Sequence, residues 1–311
     1  MDERFRTMKN VTVLVNRNGG SVRKQGITAA SLREVFQKAG TEADVHLIPG
    51  EEICDAARAA VKAGAEAVVA GGGDGTIRAV ASVLVGGEVP LGVLPLGTLN
   101  HFATDLKIPT DLAEAAKVIA EGAVRPLDVG EVNDEIFLNN SSIGFYPPIV
   151  QARDQEMKHS SHGKWVSMAI VTFKLLPRLS SLRLKISSGD WSVERKTEVL
   201  FVGNNEYVLS AFAHGAPDRV ADSGNLYLYL ARSRSRLGLV GVALLGLVRD
   251  IKRTESVEDW RLPEFTVDVR RKRAIPVAFD GEVSMMRSPL RYRTRPRALQ
   301  VILPPEEAEA S

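Results

Sequence analysis

The chain has 311 residues and only one cysteine, Cys54, so it forms no internal disulfide, and a reducing compartment suits it. No apolar run reaches the roughly 18 residues that cross a bilayer as a helix. The start, Met1-Asp2-Glu3-Arg4-Phe5-Arg6, is charged and lacks the apolar stretch of a secretory leader, so a cytoplasmic location is expected. Aromatic residues make up 6% of the chain and few are interleaved with its basic residues, which argues against nucleic acid as a partner. Neither sign of charge dominates, with 40 Lys and Arg against 38 Asp and Glu. The histidines, His159 and His162 among them, show no metal-ligand spacing. Two familiar nucleotide loops are also missing, the Walker A ending Gly-Lys-Ser/Thr and the Gly-x-Gly-x-x-Gly fingerprint.

What the chain does have is a first part in which strands and helices alternate. Strands are expected at Val11–Val15, Ala43–Ile48, Ala67–Ala70 and Leu91–Leu94. Helices are expected at Thr28–Ala39, Ile53–Ala63, Ile77–Val85 and Asp111–Glu121, two of them stopped by Gly40 and Gly64. Such alternation predicts a parallel sheet covered by helices, with ligands beyond the carboxyl ends of the strands. Near Val129-Gly130 the pattern changes. Strands then dominate, at Ile136–Asn139, Leu182–Ile186, Glu198–Val202, Leu226–Ala231, Phe265–Val269, Pro276–Phe279 and Ala298–Leu303, with helical stretches at Lys164–Leu176 and Leu237–Val248. The expected organisation is an α/β domain over 1–130, a mainly antiparallel β domain over 131–303, and a disordered tail over 304–311.

Three loops at predicted strand ends carry the chemistry. Gly71-Gly72-Gly73-Asp74-Gly75-Thr76 follows one strand and opens a helix. Its glycines let an anion approach backbone amides, and the helix adds its positive end. Asp74 beside a phosphate site calls for a cation or proton between them, which suggests chemistry as well as binding. Leu94-Pro95-Leu96-Gly97-Thr98-Leu99-Asn100 follows the next strand and offers a hydroxyl and an amide. Asn16-Arg17-Asn18-Gly19-Gly20 follows the first. Near the C-terminus, Asp280-Gly281 between strand-like runs reads as a hairpin turn.

Together these segments resemble the diacylglycerol kinase catalytic-domain family. Gly72 to Thr76 matches its Gly-Gly-Asp-Gly-Thr motif, Pro95 to Asn100 its Pro-x-Gly-Thr-x-Asn segment, Asn16 to Gly20 its Asn-Pro-x-Ser-Gly loop, and Asp280-Gly281-Glu282 its Asp-Gly-Glu motif. The resemblance runs from about Val11 to about Leu303. It implies an α/β nucleotide domain followed by a β-sandwich, with ATP and Mg2+ as cofactors and a lipid hydroxyl as phosphoryl acceptor. It also implies that Asn16, Arg17, Asn18, Gly19, Gly20, Gly72, Gly73, Asp74, Gly75, Thr76, Gly97, Thr98 and Asn100 hold the nucleotide. Glu282 is then the general base, Asp280 its partner or a water-mediated metal ligand, and Asp74 the organiser of magnesium-ATP. The family's Asp-Asp-Gly-x-Leu metal turn corresponds to Asp222-Ser223-Gly224-Asn225-Leu226, where Asp222 with the carbonyls of Val220 and Asn225 would be ligands. Arg17 replaces the family's proline, Ser223 an aspartate, and His101 an acidic residue.

The basic residues of the second part, including Arg232, Arg234, Arg236, Arg270, Arg271, Lys272, Arg273, Arg291, Arg293, Arg295 and Arg297, suit peripheral contact with an anionic membrane. Oligomeric state is not written in any motif, and a homodimer stays open. Two other readings compete with a lipid kinase. One is a kinase of soluble metabolites with the related Gly-Gly-Asp-Gly loop. The other is a nucleotide- or lipid-binding regulator without catalysis, kept open by Arg17 and Ser223.

Overall fold

The computed structural model describes residues 4–5, 8–144, 181–205, 223–231 and 257–305. The expected helices at 164–176 and 237–248, the tail from 306, and Arg232, Arg234 and Arg236 lie outside these residues. The chain divides into two compact units, one of residues 1–129, 220–222 and 296–311, the other of 130–219 and 223–295. The C-terminal segment from Pro296 thus belongs to the first unit, rather than ending the second.

In the first unit, strand β1 (Arg4–Phe5) and β2 (Asn10–Asn16) are followed by helices α1 (Gly20–Lys24) and α2 (Ala29–Lys38). Then come β3 (Glu42–Ile48), α3 (Ile53–Lys62), β4 (Val68–Gly72), α4 (Asp74–Leu84), β5 (Leu91–Pro95), α5 (His101–Asp105) and α6 (Leu112–Glu121). The strands β3, β2, β4 and β5 lie side by side in that order, all parallel. Local chemistry sets the helix ends. Thr28 and Ser31 form a capping box at α2, and the Asp111 carboxylate accepts the Ala113 and Glu114 N–H groups at α6. Val11, Val13 and Val15 of β2 pack with Leu32 and Phe36 of α2 and Ile119 of α6.

The order of these strands matters for function. β2 leads to β3 on one side, and the chain then crosses to place β4 and β5 on the other. The reversal falls between β2 and β4, and crevices at such points are where open α/β sheets bind ligands.

Strand β6 (Ala123–Val132) carries the chain into the second unit. There β7 (Glu135–Phe137), β8 (Asn140–Gly144), β9 (Leu182–Ser188), β10 (Trp191–Thr197), β11 (Val199–Gly203) and β12 (Leu226–Ala231) are followed by β13 (Val257–Leu262), β14 (Glu264–Val269), β15 (Ala274–Phe279), β16 (Glu282–Arg287) and β17 (Leu290–Leu303). One antiparallel sheet runs β13-β12-β11-β8-β15-β16, and β10, β9, β14 and the start of β17 pair antiparallel beside one another. Ile143, Leu200, Leu228 and Val277 of the first set share one buried core with Leu184, Ile186, Phe265 and Leu290 of the second, a β-sandwich arrangement. Tyr292 stacks on Phe265 at 4.9 Å between centroids and meets the Ser141 hydroxyl at 3.1 Å. Burial pushes its phenol well above the usual range.

Candidate active site

The first unit brings the three predicted loops to one sheet edge, because they end the adjacent parallel strands β2, β4 and β5. The Asn16 side chain accepts the Asn18 N–H at 3.0 Å, and its carbonyl accepts the Gly19 N–H at 2.9 Å. The guanidinium of Arg23, on α1, donates to the Asn18 side chain at 2.9 Å. Arg17 is exposed, with its backbone N–H bound to the Ile48 carbonyl.

The other two loops are pressed together. A Cβ placed on Gly97 would lie 2.4 Å from the Gly73 Cα and 2.6 Å from Asn100 Oδ1. A Cβ on Gly72 would lie 2.5 Å from the Thr76 hydroxyl. Glycine is needed here for close approach rather than for unusual dihedrals, since Gly73 keeps φ −87°. Asn100 locks the second loop from within. It has a left-handed φ of 51° and is buried, its Oδ1 accepts the Gly97 N–H at 2.8 Å, and its Nδ2 donates to the Pro95 and Gly97 carbonyls. Asp74 ties the loops together, with Oδ1 accepting the Phe102 N–H at 3.0 Å. Gly75 and Thr76 lie in the first turn of α4, Thr76 buried, and Thr98 is exposed.

In the second unit, Asp280 and Gly281 take φ of 47° and 84° and form the two-residue turn between β15 and β16. Left-handed values at both positions match the twist that joins antiparallel strands, as Asp-Gly predicts. Glu282 opens β16, opposite Phe279, and is exposed. The Asp280 carboxylate is bound by backbone N–H groups, accepting from Leu138 at 2.7 Å, Asn139 at 2.8 Å and Asn140 at 3.1 Å. That makes it the anchor of the β7–β8 connection, where the sequence suggests a partner of Glu282 or a metal ligand. Asp280→Ala strands two buried donors and one partly buried one, and is expected to destabilise the protein by about 2–4 kcal/mol, read by denaturant unfolding.

Of the predicted metal ligands, Val220 and Asp222 lie outside the described residues. Asn225 closes a turn on Ser223. Its Nδ2 donates to the Ser223 carbonyl at 2.6 Å, and its own carbonyl accepts the Ser223 hydroxyl at 3.4 Å. Among the described residues, no three His, Cys, Asp or Glu side chains gather as a metal cluster.

The diacylglycerol kinase catalytic domain model matches residues 10–132. A relative from Pseudomonas savastanoi pv. phaseolicola, named "Probable lipid kinase YegS-like", is 31% identical over 280 residues, covering 86% of this chain and 86% of the relative. The chain belongs to the diacylglycerol kinase catalytic-domain family. A relative of the same name from Klebsiella pneumoniae is 29% identical over 289 residues, covering 91% of this chain and 94% of the relative. A crystal structure described as a diacylglycerol kinase from Bacillus anthracis has a TM-score of 0.67 at 18% identity, covering 97% of this chain and 99% of that one, and so shares its fold. Family and relatives make the protein a kinase of the lipid-kinase type.

One residue of this kinase's first unit gives no signal in its sequence. Asp105 ends the five-residue helix α5, too short to show periodicity. Its pKa is raised, chiefly by burial and further by the negative charge of Asp74, while His101 pulls it down. A carboxyl with a native pKa above its unfolded value holds its proton more tightly when folded. Its penalty is therefore absent at low pH and grows as pH rises through and beyond the ordinary carboxylate range. Asp105→Asn should raise the thermal midpoint at pH 7, and the two proteins should converge near about pH 4 in parallel melts.

Proposed function

We propose that this kinase transfers the γ-phosphate of ATP, with magnesium, to the hydroxyl of a lipid. The nucleotide belongs to the first unit. The observation that carries this is the close pairing of the Gly72–Gly75 and Gly97–Asn100 loops at the carboxyl ends of adjacent parallel strands, beside the topological reversal. Glycine backbone and the N-terminus of α4 suit phosphates. Asn16, Asn18, Gly19 and Gly20, at the end of the neighbouring strand, extend the same edge. Asp74 would hold magnesium through a carboxylate, with phosphate oxygens and water as the other ligands, a donor set this ion accepts. Bound there, magnesium would neutralise charge on the transferring phosphoryl group.

Glu282 is the base in this reading. Its carboxylate takes the proton of the lipid hydroxyl as the new O–P bond forms. The bond between the γ-phosphorus and the bridging oxygen breaks, and ADP leaves. Asp280 acts by fixing the turn that presents Glu282.

The lipid acceptor places the kinase at a membrane surface, and no described helix is long and apolar enough to cross one. The basic turn Arg270–Arg273 leads into the start of β15, whereas Asp280 follows its end. Six strand residues separate them, about 20 Å. Arg293 and Arg295 pair with the buried Glu131. Membrane contact near Glu282 therefore needs other residues than these. Incubation with γ-labelled ATP, magnesium and mixed lipid micelles tests the proposal: label in extracted lipid supports it, and label confined to water-soluble products contradicts it.

A further inference from the structure

The end of the six-stranded sheet that carries Glu282 also holds a polar atom with no partner among the described residues. Asn139 links β7 to β8 and is 2% exposed. Its backbone is fully used, the N–H donating to Asp280 Oδ1 at 2.8 Å and the carbonyl accepting the Asn204 N–H at 2.9 Å. Its side-chain Oδ1 is buried and accepts no hydrogen bond from any described residue. Buried polar atoms are nearly always paired, so one left unpaired calls for an explanation. Here the loop is not loose. Asp280 clamps it through three amides, and Asn204, also 2% exposed, donates its Nδ2 to the Leu138 carbonyl at 3.1 Å. These bonds hold the backbone of Asn139 in place, and its side-chain acceptor stays unused.

The register sets its distance from the base. Asn140 of β8 receives the Asp280 N–H at 3.0 Å, and Phe279 of β15 faces Glu282 of β16. Two strand spacings, about 10 Å, separate the backbone of β8 from that of β16. Two side chains and a headgroup the size of glycerol span such a distance.

We infer that Asn139 is a specificity-determining residue whose Oδ1 accepts a hydrogen bond from a second hydroxyl or amino group on the acceptor, beside the hydroxyl that is phosphorylated. The inference rests on the lipid-kinase reading and narrows it to acceptors with two neighbouring donors. A site built to accept such a bond discriminates strongly against a substrate lacking the donor.

The test uses two pairs of acceptors differing by one hydroxyl, in mixed micelles with labelled ATP and magnesium. The pairs are 1-monoacylglycerol with its 2-deoxy analogue, and phosphatidylglycerol with phosphatidyl-1,3-propanediol. Wild-type kcat/KM should favour the diol of at least one pair by about 10–100-fold. Asn139→Leu, close in volume and without an acceptor, should erase that preference by slowing the diol alone, with the KM for ATP and the thermal midpoint unchanged. Equal wild-type rates on both members of each pair, or equal losses on both in Asn139→Leu, would overturn the inference while the lipid-kinase reading stands. An unchanged preference in Asn139→Leu would also overturn it and mark the orphan oxygen as a water site. Transfer to no lipid would overturn both.

Discussion

Gly97→Ala is expected to weaken ATP binding roughly tenfold to a hundredfold. The added methyl would occupy space 2.4 Å from the Gly73 Cα and 2.6 Å from Asn100 Oδ1. Neither neighbour is the end of a flexible side chain. Gly73 is backbone at the start of α4, and Asn100 is held by its bonds to Gly97 and Pro95. The loops must therefore part, and forced displacement of this kind costs about 1–3 kcal/mol, which is one to two decades of affinity if it falls on the bound state. Calorimetric titration of ATP with magnesium into the wild type and Gly97→Ala measures the difference. Equal affinities would remove the close loop pairing from the account of nucleotide binding.

Glu282→Gln is expected to lower kcat by about 10²–10⁴-fold, the usual contribution of a positioned general base. The amide keeps the size of the side chain and the turn that presents it, because Asp280 and Gly281 are untouched. ATP affinity should not change, since the nucleotide is assigned to the first unit. The fold should not change either, because Glu282 is exposed at the start of an edge strand. Initial rates and ATP titrations on the same preparation separate these effects. A fall in ATP affinity with kcat preserved would reassign Glu282 to binding.

The central strands of the first unit are legible in the sequence because burial on both faces writes them as short apolar runs. Val68 to Gly72 and Leu91 to Pro95 are buried throughout. Of the strands that escape notice, three are sheet edges, and the interior strands β6 and β8 escape it too. β10, β13 and β16 lie at the ends of their sheets, and Trp191–Thr197, Val257–Leu262 and Glu282–Arg287 carry charges that read as loop. The arginines at 291, 293 and 295 look like a basic patch, yet they alternate with buried Leu290, Tyr292 and Thr294 along β17. Two of them answer the buried Glu131, a partner more than 160 positions away that no local pattern reveals. The same limit applies to the site. Gly72 to Thr76 and Asp280-Gly281 declare themselves because turn chemistry is local. The bonds from Leu138, Asn139 and Asn140 to Asp280, and the charge of Asp74 acting on Asp105, join distant segments and emerge only in the folded chain.

The most direct measurement of the central claim is phosphate transfer from γ-labelled ATP to extracted lipid, with magnesium, by the wild-type protein and Glu282→Gln side by side. The account predicts a labelled lipid from the wild type and, at equal ATP occupancy, at least about a hundredfold less from the variant. Equal label from both would contradict the role of Glu282. No labelled lipid from a wild-type protein that binds ATP would contradict the lipid acceptor itself.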